Sequence, residues 1–259
     1  MNITIAGYGF VGKAHEAVLK DKFDVNIYDP MLGYNNIASV YAPNDVVAPD
    51  GVIICVSTPE RSDGSCDVNN VADVISRIDE AVPILIKSTI SLEGWRSIRE
   101  LFPDHQLAFS PEFLRAASAI EDFQNTREIY IGGDSVPFWH AIFRIAFSDP
   151  NFTSTIRDPE SLIIAKYFRN SFLATKVAFF NQVFDLCEAT DVSYNEVLEV
   201  VGSDPRIGYS HMQITEDRGF GGHCFPKDTS AIIETARKFK SNLTILQEAV
   251  NYNNVIRRK

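Results

Sequence analysis

The chain has 259 residues, of which 45% are hydrophobic and 22% charged, and its formal net charge is −10. This is an ordinary globular composition, which argues against intrinsic disorder and fibres. The acidic balance argues against a protein that grips nucleic acid through its phosphates, and no apolar run approaches the roughly 18 residues of a membrane-spanning helix. Four cysteines without a CxxC pair and no visible secretory signal predict a cytoplasmic protein with reduced thiols, and no metal site is predicted.

The first half of the sequence alternates short apolar runs with helical patterns. Strands are predicted at Ile3–Ala6, Val25–Tyr28, Gly51–Val56, Ile84–Lys87, Leu107–Ser110 and Ile129–Ile131. Helices are predicted over Phe10–Leu19, Val68–Ala81 and Leu92–Phe102. Strands that alternate with helices indicate right-handed crossovers, so we expect an α/β, Rossmann-like doubly wound parallel sheet over residues 1–150.

The second half changes character, and we expect an all-helical domain over residues 151–259. Its hub is a helix predicted over Pro159–Thr190, with apolar residues at helical spacing. The aromatic side chains of this helix exceed what a small helical domain covers alone, which predicts a homodimer. Helices are also predicted to begin at Tyr194, capped by Ser193, and over Thr229–Phe239 and Thr244–Arg258; a glycine-containing loop is predicted over Gly202–Asp228.

A GxGxxG segment, Gly7–Gly12, follows the first predicted strand and opens a helix. Glycine allows the tight turn, the close approach of a pyrophosphate and close packing of helix on strand, and the helix N-terminus offers free N–H groups. Asp29 ends the second strand, where a carboxylate binds the ribose hydroxyls and repels a 2′-phosphate. This pattern predicts NAD binding, with NAD preferred over NADP; the alternative is a structural glycine turn. The predicted cofactor-binding residues of the loop are Gly7, Gly9, Phe10, Val11 and Gly12.

A second glycine-rich stretch, Gly219–Asp228, contains Cys224. Lys227 and the following helix N-terminus would favour a thiolate, and Asp228 would hold or activate a water. Cys224 is therefore a candidate nucleophile, although a small residue in a glycine turn is an equally simple interpretation. The other cysteines, including Cys55 in a predicted strand, are expected to have no chemical role.

Seven segments in this order resemble the nucleotide-sugar dehydrogenase family, over the whole sequence. They are GYGFVG (Gly7–Gly12), the segment Cys55–Val71, KST (Lys87–Thr89), SPEFLR (Ser110–Arg115), the helix segment AKYFRNSFLATKVAFFNQ, and DPRIG (Asp204–Gly208) followed by GFGGHCFPKD. The resemblance implies four-electron oxidation of a nucleotide sugar, with UDP-glucose as the leading candidate, using two NAD per turnover. The sugar alcohol becomes an aldehyde, is captured by cysteine, is oxidised to a thioester and is hydrolysed to an acid.

The resemblance also implies roles for individual residues. Cys224 would be the nucleophile, Lys166 the cation that stabilises oxyanions, and Asn170, one helical turn later, a second hydrogen-bond donor. Asp228 and Glu112 would handle protons and water, and Thr89 would position a water or the nicotinamide. Further cofactor contacts would come from Thr58, Thr89 and Glu112, and substrate contacts from Phe113, Leu114, Arg115, Lys166, Asn170, Arg206 and Gly221.

Two departures from the family pattern affect these expectations. Ala116 stands where the family has a glutamate after SPEFLR, so hydrolysis would rely on Glu112 and Asp228. The family usually continues into a third domain that binds the nucleotide, and the sequence ends at Lys259, so a short form, or a domain supplied by another chain, is expected. Alternatives are a two-electron hydroxyacid or alcohol dehydrogenase, which needs no nucleophile, and a non-catalytic NAD-binding homologue. A thiol hydrolase ranks last, because only the adjacent His223 offers Cys224 a base.

Overall fold

The computed structural model describes residues 1–33, 48–222 and 224–257. His223, the residue that the sequence offers as a base for Cys224, lies outside them. Within these ranges the chain forms seven strands and nine α-helices. The strands are β1 (Asn2–Ala6), β2 (Asp24–Tyr28), β3 (Gly51–Ile54), β4 (Ile84–Ile86), β5 (Leu107–Phe109), β6 (Glu128–Gly133) and β7 (Thr153–Ile156). The helices are α1 (Phe10–Leu19), α2 (Asn69–Ile75), α3 (Leu92–Leu101), α4 (Ala119–Gln124), α5 (Val136–Phe147), α6 (Pro159–Thr190), α7 (Tyr194–Gly202), α8 (Cys224–Lys238) and α9 (Thr244–Ile256).

The strands form one sheet in the order β2-β1-β3-β4-β5-β6-β7. All neighbouring pairs are parallel except β5 and β6, in which Ala108 lies opposite Gly133 in an antiparallel pair. The predicted α/β class, doubly wound sheet and long central helix are confirmed. The predicted parallel sheet has one antiparallel pair, β5 and β6, because sequence pattern reveals strand positions but not strand direction. Strand β7, which was not predicted, lies beyond residue 150 and pairs with β6.

Apolar side chains from both faces of the sheet and from the covering helices form the main core. Ile3 and Ile5 of β1 and Ile53 of β3 are fully buried, as expected for strands covered on both faces. Trp139 and Phe143 of α5 belong to the same apolar cluster. Such a core fixes the strand ends, and therefore the polar residues that follow them.

The chain divides into two compact units. The first comprises residues 1–61 and 66–166 and contains the sheet; the second comprises 62–65 and 167–259 and is helical apart from its loops. The boundary falls within α6, whose bounds are those predicted from its period. Helix α7 begins after Ser193, whose hydroxyl accepts the Glu196 N–H at 3.5 Å as an N-cap.

Helix α8 corrects one expectation from the sequence. It begins at Cys224, whereas the sequence places Cys224 in a loop that ends at Asp228 and begins the helix at Thr229. The misplaced start is explained by Pro226, because proline usually breaks a helix but is tolerated in the first turn, where its missing N–H would have no partner.

Among the described residues, no helix is both long enough and apolar enough to cross a membrane.

Candidate functional site

The glycine loop between β1 and α1 is shaped by backbone contacts that exclude side chains. Gly7 has a φ of +95°, and a Cβ there would lie 2.6 Å from the carbonyl carbon of Cys55. A Cβ at Gly12 would collide with the carbonyl oxygen of Gly7. Gly9, in contrast, faces open space and caps α1 without a side-chain hydrogen bond. The first N–H groups of α1 therefore have no side-chain cap and follow a glycine, which suits a pyrophosphate.

Asp29, the predicted ribose ligand, follows β2 and holds the same loop. Its Oδ2 accepts the Tyr8 N–H at 2.8 Å and its Oδ1 accepts the Met31 N–H at 3.1 Å. A carboxylate has about four acceptor positions, so two such bonds leave capacity for ribose hydroxyls. Phe10 is exposed and Val11 half-buried at the start of α1, so both lie at the predicted cofactor surface. The residues present thus fit a dinucleotide.

Polar residues follow the carboxyl ends of β3 and β4 and are joined through Thr89. The Thr89 carbonyl accepts the Thr58 hydroxyl at 2.6 Å and the Cys66 thiol at 3.3 Å. The Thr89 hydroxyl accepts the Lys166 ammonium at 2.5 Å. The structure thus brings together three residues predicted separately and adds Cys66, which was expected to have no role. Because Lys166 and Thr58 are buried, the hydroxyl and the carbonyl of Thr89 are each bound by a buried donor.

A buried ion pair lies at the carboxyl ends of β4 and β5. Lys87 Nζ is 3.1 Å from Glu112 Oε2 and also donates to the Ser110 hydroxyl at 3.0 Å and the Pro111 carbonyl at 3.3 Å. His15 Nε2, from α1, is 4.0 Å from the same carboxylate oxygen. The three charged or titratable side chains are almost wholly buried, so each depends on the others for solvation.

Burial alone would raise the pKa of Glu112, but the Lys87 ammonium, His15 and the Phe113 N–H lower it below its usual range. Burial, reinforced by Lys87, lowers the pKa of His15 to about 4. At neutral pH the cluster therefore contains one cation, one anion and a neutral imidazole. Burial also raises the pKa of the Cys55 thiol, which removes Cys55 as a nucleophile candidate.

Sequence reasoning identified Glu112 but missed Lys87 and His15 as its neighbours. The available signal for Lys87 was a lysine directly after the apolar run Ile84–Ile86, at the carboxyl edge of the sheet. His15 had no comparable signal, because a histidine in an amphipathic helix is usually a surface or packing residue. The contact between α1 and the residues after β5 needed the fold itself.

The predicted substrate residues after Glu112 have different environments. Phe113 and Leu114 are half-buried, and Leu114 packs against the main core. Arg115 is exposed and pairs with Asp122 through two hydrogen bonds, Nη2 to Oδ1 at 2.5 Å and Nε to Oδ2 at 3.0 Å. The Arg115 guanidinium is therefore held in place on the surface but already uses a carboxylate partner.

In the second unit, α8 presents the cysteine and aspartate that the sequence singled out. Cys224 is exposed at the first residue of the helix, and Asp228 is buried four residues later, so the two share a helix face. Asn170 Nδ2 donates to Asp228 Oδ2 at 2.6 Å, and Lys227 Nζ is 3.3 Å from Asp228 Oδ1. Asn170 and Asp228, which were predicted separately as site residues, are thus in direct contact.

The remaining predicted substrate residues lie in the loops of the second unit. Arg206 is exposed and paired with its neighbour Asp204, Nε to Oδ1 at 3.0 Å, so it is available at the surface. Gly221 lies against the Arg257 guanidinium, and a Cβ there would collide with it. A side chain at 221 would therefore have to displace the Arg257 guanidinium, the mobile end of a long side chain.

A glycine loop at the N-terminus of a helix, an acidic residue after β2 and a doubly wound sheet define a dinucleotide-binding protein of the dehydrogenase type. Residues 33–145 match the NAD binding domain of the UDP-glucose/GDP-mannose dehydrogenase family, and residues 161–255 match its central domain. The chain therefore belongs to this family, and its cofactor is NAD.

Individual relatives agree with this assignment. A UDP-glucose 6-dehydrogenase of Rhizobium meliloti (strain 1021) is 31% identical over 98% of this chain and 67% of its own length. One from Bacillus subtilis (strain 168) is 29% identical over 98% and 66%. The structure of a UDP-glucose dehydrogenase from the archaeon Pyrobaculum islandicum aligns with a TM-score of 0.81 and 27% identity, covering 98% of this chain and 68% of that one. The chain thus spans about two thirds of the length of these relatives.

Proposed function

We propose that this chain catalyses the NAD-dependent, four-electron oxidation of the C6 alcohol of a nucleotide sugar, with UDP-glucose converted to UDP-glucuronate. The balanced reaction consumes one alcohol, two NAD⁺ and one water, and yields one carboxylate, two NADH and three protons. The printed names of the relatives support the substrate class. The observation that carries the proposal is an exposed Cys224 on the same helix face as a buried Asp228 held by Asn170.

The two parts of the chain divide the work in this proposal. Residues 1–150 bind NAD through the glycine loop and Asp29, and residues 151–259 carry the cysteine. NAD supplies a hydride acceptor in each two-electron step. The backbone N–H groups at the start of α1 and the Asp29 carboxylate hold the pyrophosphate and ribose.

The first oxidation removes a proton from the sugar hydroxyl, which passes to a carboxylate, and a hydride from its carbon. A cation is needed near the sugar oxygen, because that oxygen carries negative charge once the proton has left. We assign this role to Lys166, whose ammonium is buried and fixed on the Thr89 hydroxyl. A fixed cation in a water-poor setting stabilises developing charge without reorganising first. Thr58, by holding the Thr89 carbonyl, keeps the pair in place.

The second oxidation needs a covalent adduct, because an aldehyde carbon gives up hydride readily only after a nucleophile adds to it. The Cys224 thiolate adds to the aldehyde, forming a thiohemiacetal, and loss of hydride from that carbon leaves a thioester. Asp228 then accepts a proton from the water that attacks the thioester, and the Cys224 sulfur leaves. Glu112, kept ionised by Lys87, is the second carboxylate proposed for proton transfer.

The test is the stoichiometry of NADH per substrate consumed, measured with a panel of nucleotide sugars. We expect two NADH per UDP-glucose for the unmutated protein. In Cys224→Ser, acid formation should be abolished or greatly slowed while NAD binding is retained. Cys187→Ala is the matched control, because Cys187 is buried in α6 and has no proposed role.

The contrary outcomes identify the alternatives. One NADH per substrate, with Cys224→Ser fully active, would show a two-electron alcohol or hydroxyacid dehydrogenase in which Cys224 only packs. NAD binding without turnover of any sugar would support a non-catalytic homologue.

We also propose that the chain forms a homodimer through the exposed side of α6. Phe168, Phe172 and Phe179 of this helix are 44%, 68% and 57% exposed, which is unusual for large apolar side chains so close together. Sedimentation should show a dimer at micromolar concentration, and Phe172→Glu should shift it toward monomer. A monomeric unmutated protein would contradict this proposal.

Binding of the substrate's nucleotide is proposed to need residues outside this chain. Because the relatives are longer, we propose that polypeptide outside these residues, in the same or a separate chain, contributes contacts to the nucleotide. A KM for UDP-glucose well above that of a relative assayed in parallel would support this.

A further inference from the structure

The segment that leads into Cys224 is held in a backbone conformation that needs support. Arg218 and Gly219 both have a φ of +57°, so two successive residues adopt the left-handed region. Arginine rarely adopts this conformation, because its Cβ crowds the backbone, and it persists only where neighbouring groups over-determine it. The described contacts of this segment identify those groups.

Asn253 of α9 supplies the most direct support. Its Oδ1 accepts the Phe220 N–H at 2.6 Å and its Nδ2 donates to the Phe220 carbonyl at 3.1 Å, so one amide satisfies both backbone groups of one residue. Asn253 is only 4% exposed. A Cβ at Gly219 would collide with Asn253 Oδ1, so the backbone runs directly against the amide.

Helix α6 holds the other side of the same segment. Asn181 Oδ1 accepts the Arg218 Nε–H at 2.8 Å and the Gly219 N–H at 3.2 Å. The Arg218 guanidinium also reaches Asp185 Oδ1 at 2.5 Å. From the end of α9, Arg257 Nη1 donates to the Arg218 carbonyl at 3.0 Å. Side chains of α6 therefore hold both left-handed residues, and Arg257, the residue after α9, also holds Arg218.

Phe220 transmits this support to the start of α8. Its ring is buried in a small apolar cluster with Ala174 and Ala249, against which Phe225 also packs. The Phe220 and Phe225 rings are 6.4 Å apart between centroids and nearly perpendicular. Phe225 is the residue after Cys224. A shift of the Phe220 ring would therefore displace Phe225 and the first turn of the helix that carries the thiol.

We propose that Asn253 is a positioning residue for Cys224, because its two hydrogen bonds to Phe220 set where the first turn of α8, and thus the thiol, lies. This inference rests on the proposed role of Cys224 as nucleophile. It predicts a selective effect. The second oxidation and hydrolysis depend on the thiol, whereas the first oxidation and NAD binding do not.

The test compares Asn253→Leu, which removes both hydrogen bonds at similar size, with Asn254→Leu, the exposed neighbour on the same helix. With UDP-glucose and NAD, acid formation in Asn253→Leu should slow by about 10- to 100-fold, the range expected for ångström-scale misplacement of a reacting group. The KM for NAD should be unchanged, and aldehyde trapped by a carbonyl reagent should increase. Asn254→Leu should behave as the unmutated protein does.

Asn253→Gln keeps the amide donor and acceptor but displaces them by one methylene group, so it should give an intermediate effect and serves if Asn253→Leu does not fold. Equal slowing of both oxidation steps, in proportion to a fall in melting temperature, would show a merely structural role and overturn the inference.

Hydrogen exchange separates this inference from the proposed function. In Asn253→Leu, protection should fall both at Phe220 and at the amides of the first two turns of α8; loss confined to Phe220 would overturn the coupling. If the unmutated chain oxidises no nucleotide sugar, the proposed function fails, and exchange alone decides whether Asn253 positions the first turn of α8.

Discussion

The buried pair of Lys87 and Glu112 gives the most quantitative prediction. Their side chains are 1% and 9% exposed, with Nζ and Oε2 3.1 Å apart. Lys87→Met keeps the volume but leaves the carboxylate buried without its cation, which should lower the free energy of unfolding by about 3–5 kcal/mol. Glu112→Gln should cost a similar amount, since it leaves the ammonium without its anion.

The double substitution Lys87→Met/Glu112→Leu should cost much less than the sum of the single substitutions. Replacing a whole buried ion pair by apolar residues is often close to neutral. Here the Ser110 hydroxyl and Pro111 carbonyl also lose the Lys87 donor, at about 1 kcal/mol each. The expected cost is therefore about 2 kcal/mol, which leaves a coupling energy of several kcal/mol between the two positions.

The assay is urea unfolding followed by tryptophan fluorescence. Both tryptophans, Trp95 and Trp139, belong to the unit that contains the pair, so the signal reports on that unit. Lys20→Met, at an exposed lysine after α1, is the control and should change little. Additive effects, or single substitutions costing under about 1 kcal/mol, would refute the view that each charge solvates the other.

Three further predictions concern the unit that contains the sheet. The pKa of His15 is about 4, so the unfolded chain binds a proton below about pH 6.5 and the folded chain does not; stability present at pH 7 should fall by about 3 kcal/mol as the pH drops to 4. His15→Leu should flatten that part of the pH–stability curve in urea titrations, whereas the exposed His140→Gln should not. Gly7→Ala should abolish NAD binding and destabilise more than Gly33→Ala, measured by calorimetry and thermal melting, because both glycines have positive φ but only Gly7 lies against backbone. Asp29→Ala should weaken NAD binding and reduce the preference over NADP, and equal affinity for both cofactors in the unmutated protein would contradict the argument.

The elements that the sequence predicted best are those whose pattern is local. The glycine loop and α1 follow from spacing within about twelve residues, and α6 from an uninterrupted helical period over 32 residues. Helix α4 and strand β7 were not predicted because they are short, with six and four residues. Helix α5, with 12 residues, was also not predicted. The direction of β6 depends on how distant strands pair, which no local pattern contains.

The candidate site shows the same division. Residues of the motifs, such as Thr89, Lys166 and Cys224, were predicted because their segments are recognisable one at a time. The residues that hold other residues of the site in place were missed, because they lie far from them along the chain. Lys87 is 25 residues from Glu112, and Asn253 is 33 residues from Phe220. Only the fold brings such pairs together.

These supports act mainly on backbone groups rather than on the side chains that do the chemistry. Thr58 and Cys66 both donate to the Thr89 carbonyl, and Asn253 binds the N–H and carbonyl of Phe220. Almost any residue at the supported position would offer the same backbone groups. The identity of the supporting side chain therefore matters more than that of the residue it supports. A substitution at a supporting residue should therefore leave the reacting groups chemically intact but less well placed. Because misplacement affects the reaction more than ligand binding, the kinetic signature of such residues should be a lowered kcat at a nearly constant KM for NAD.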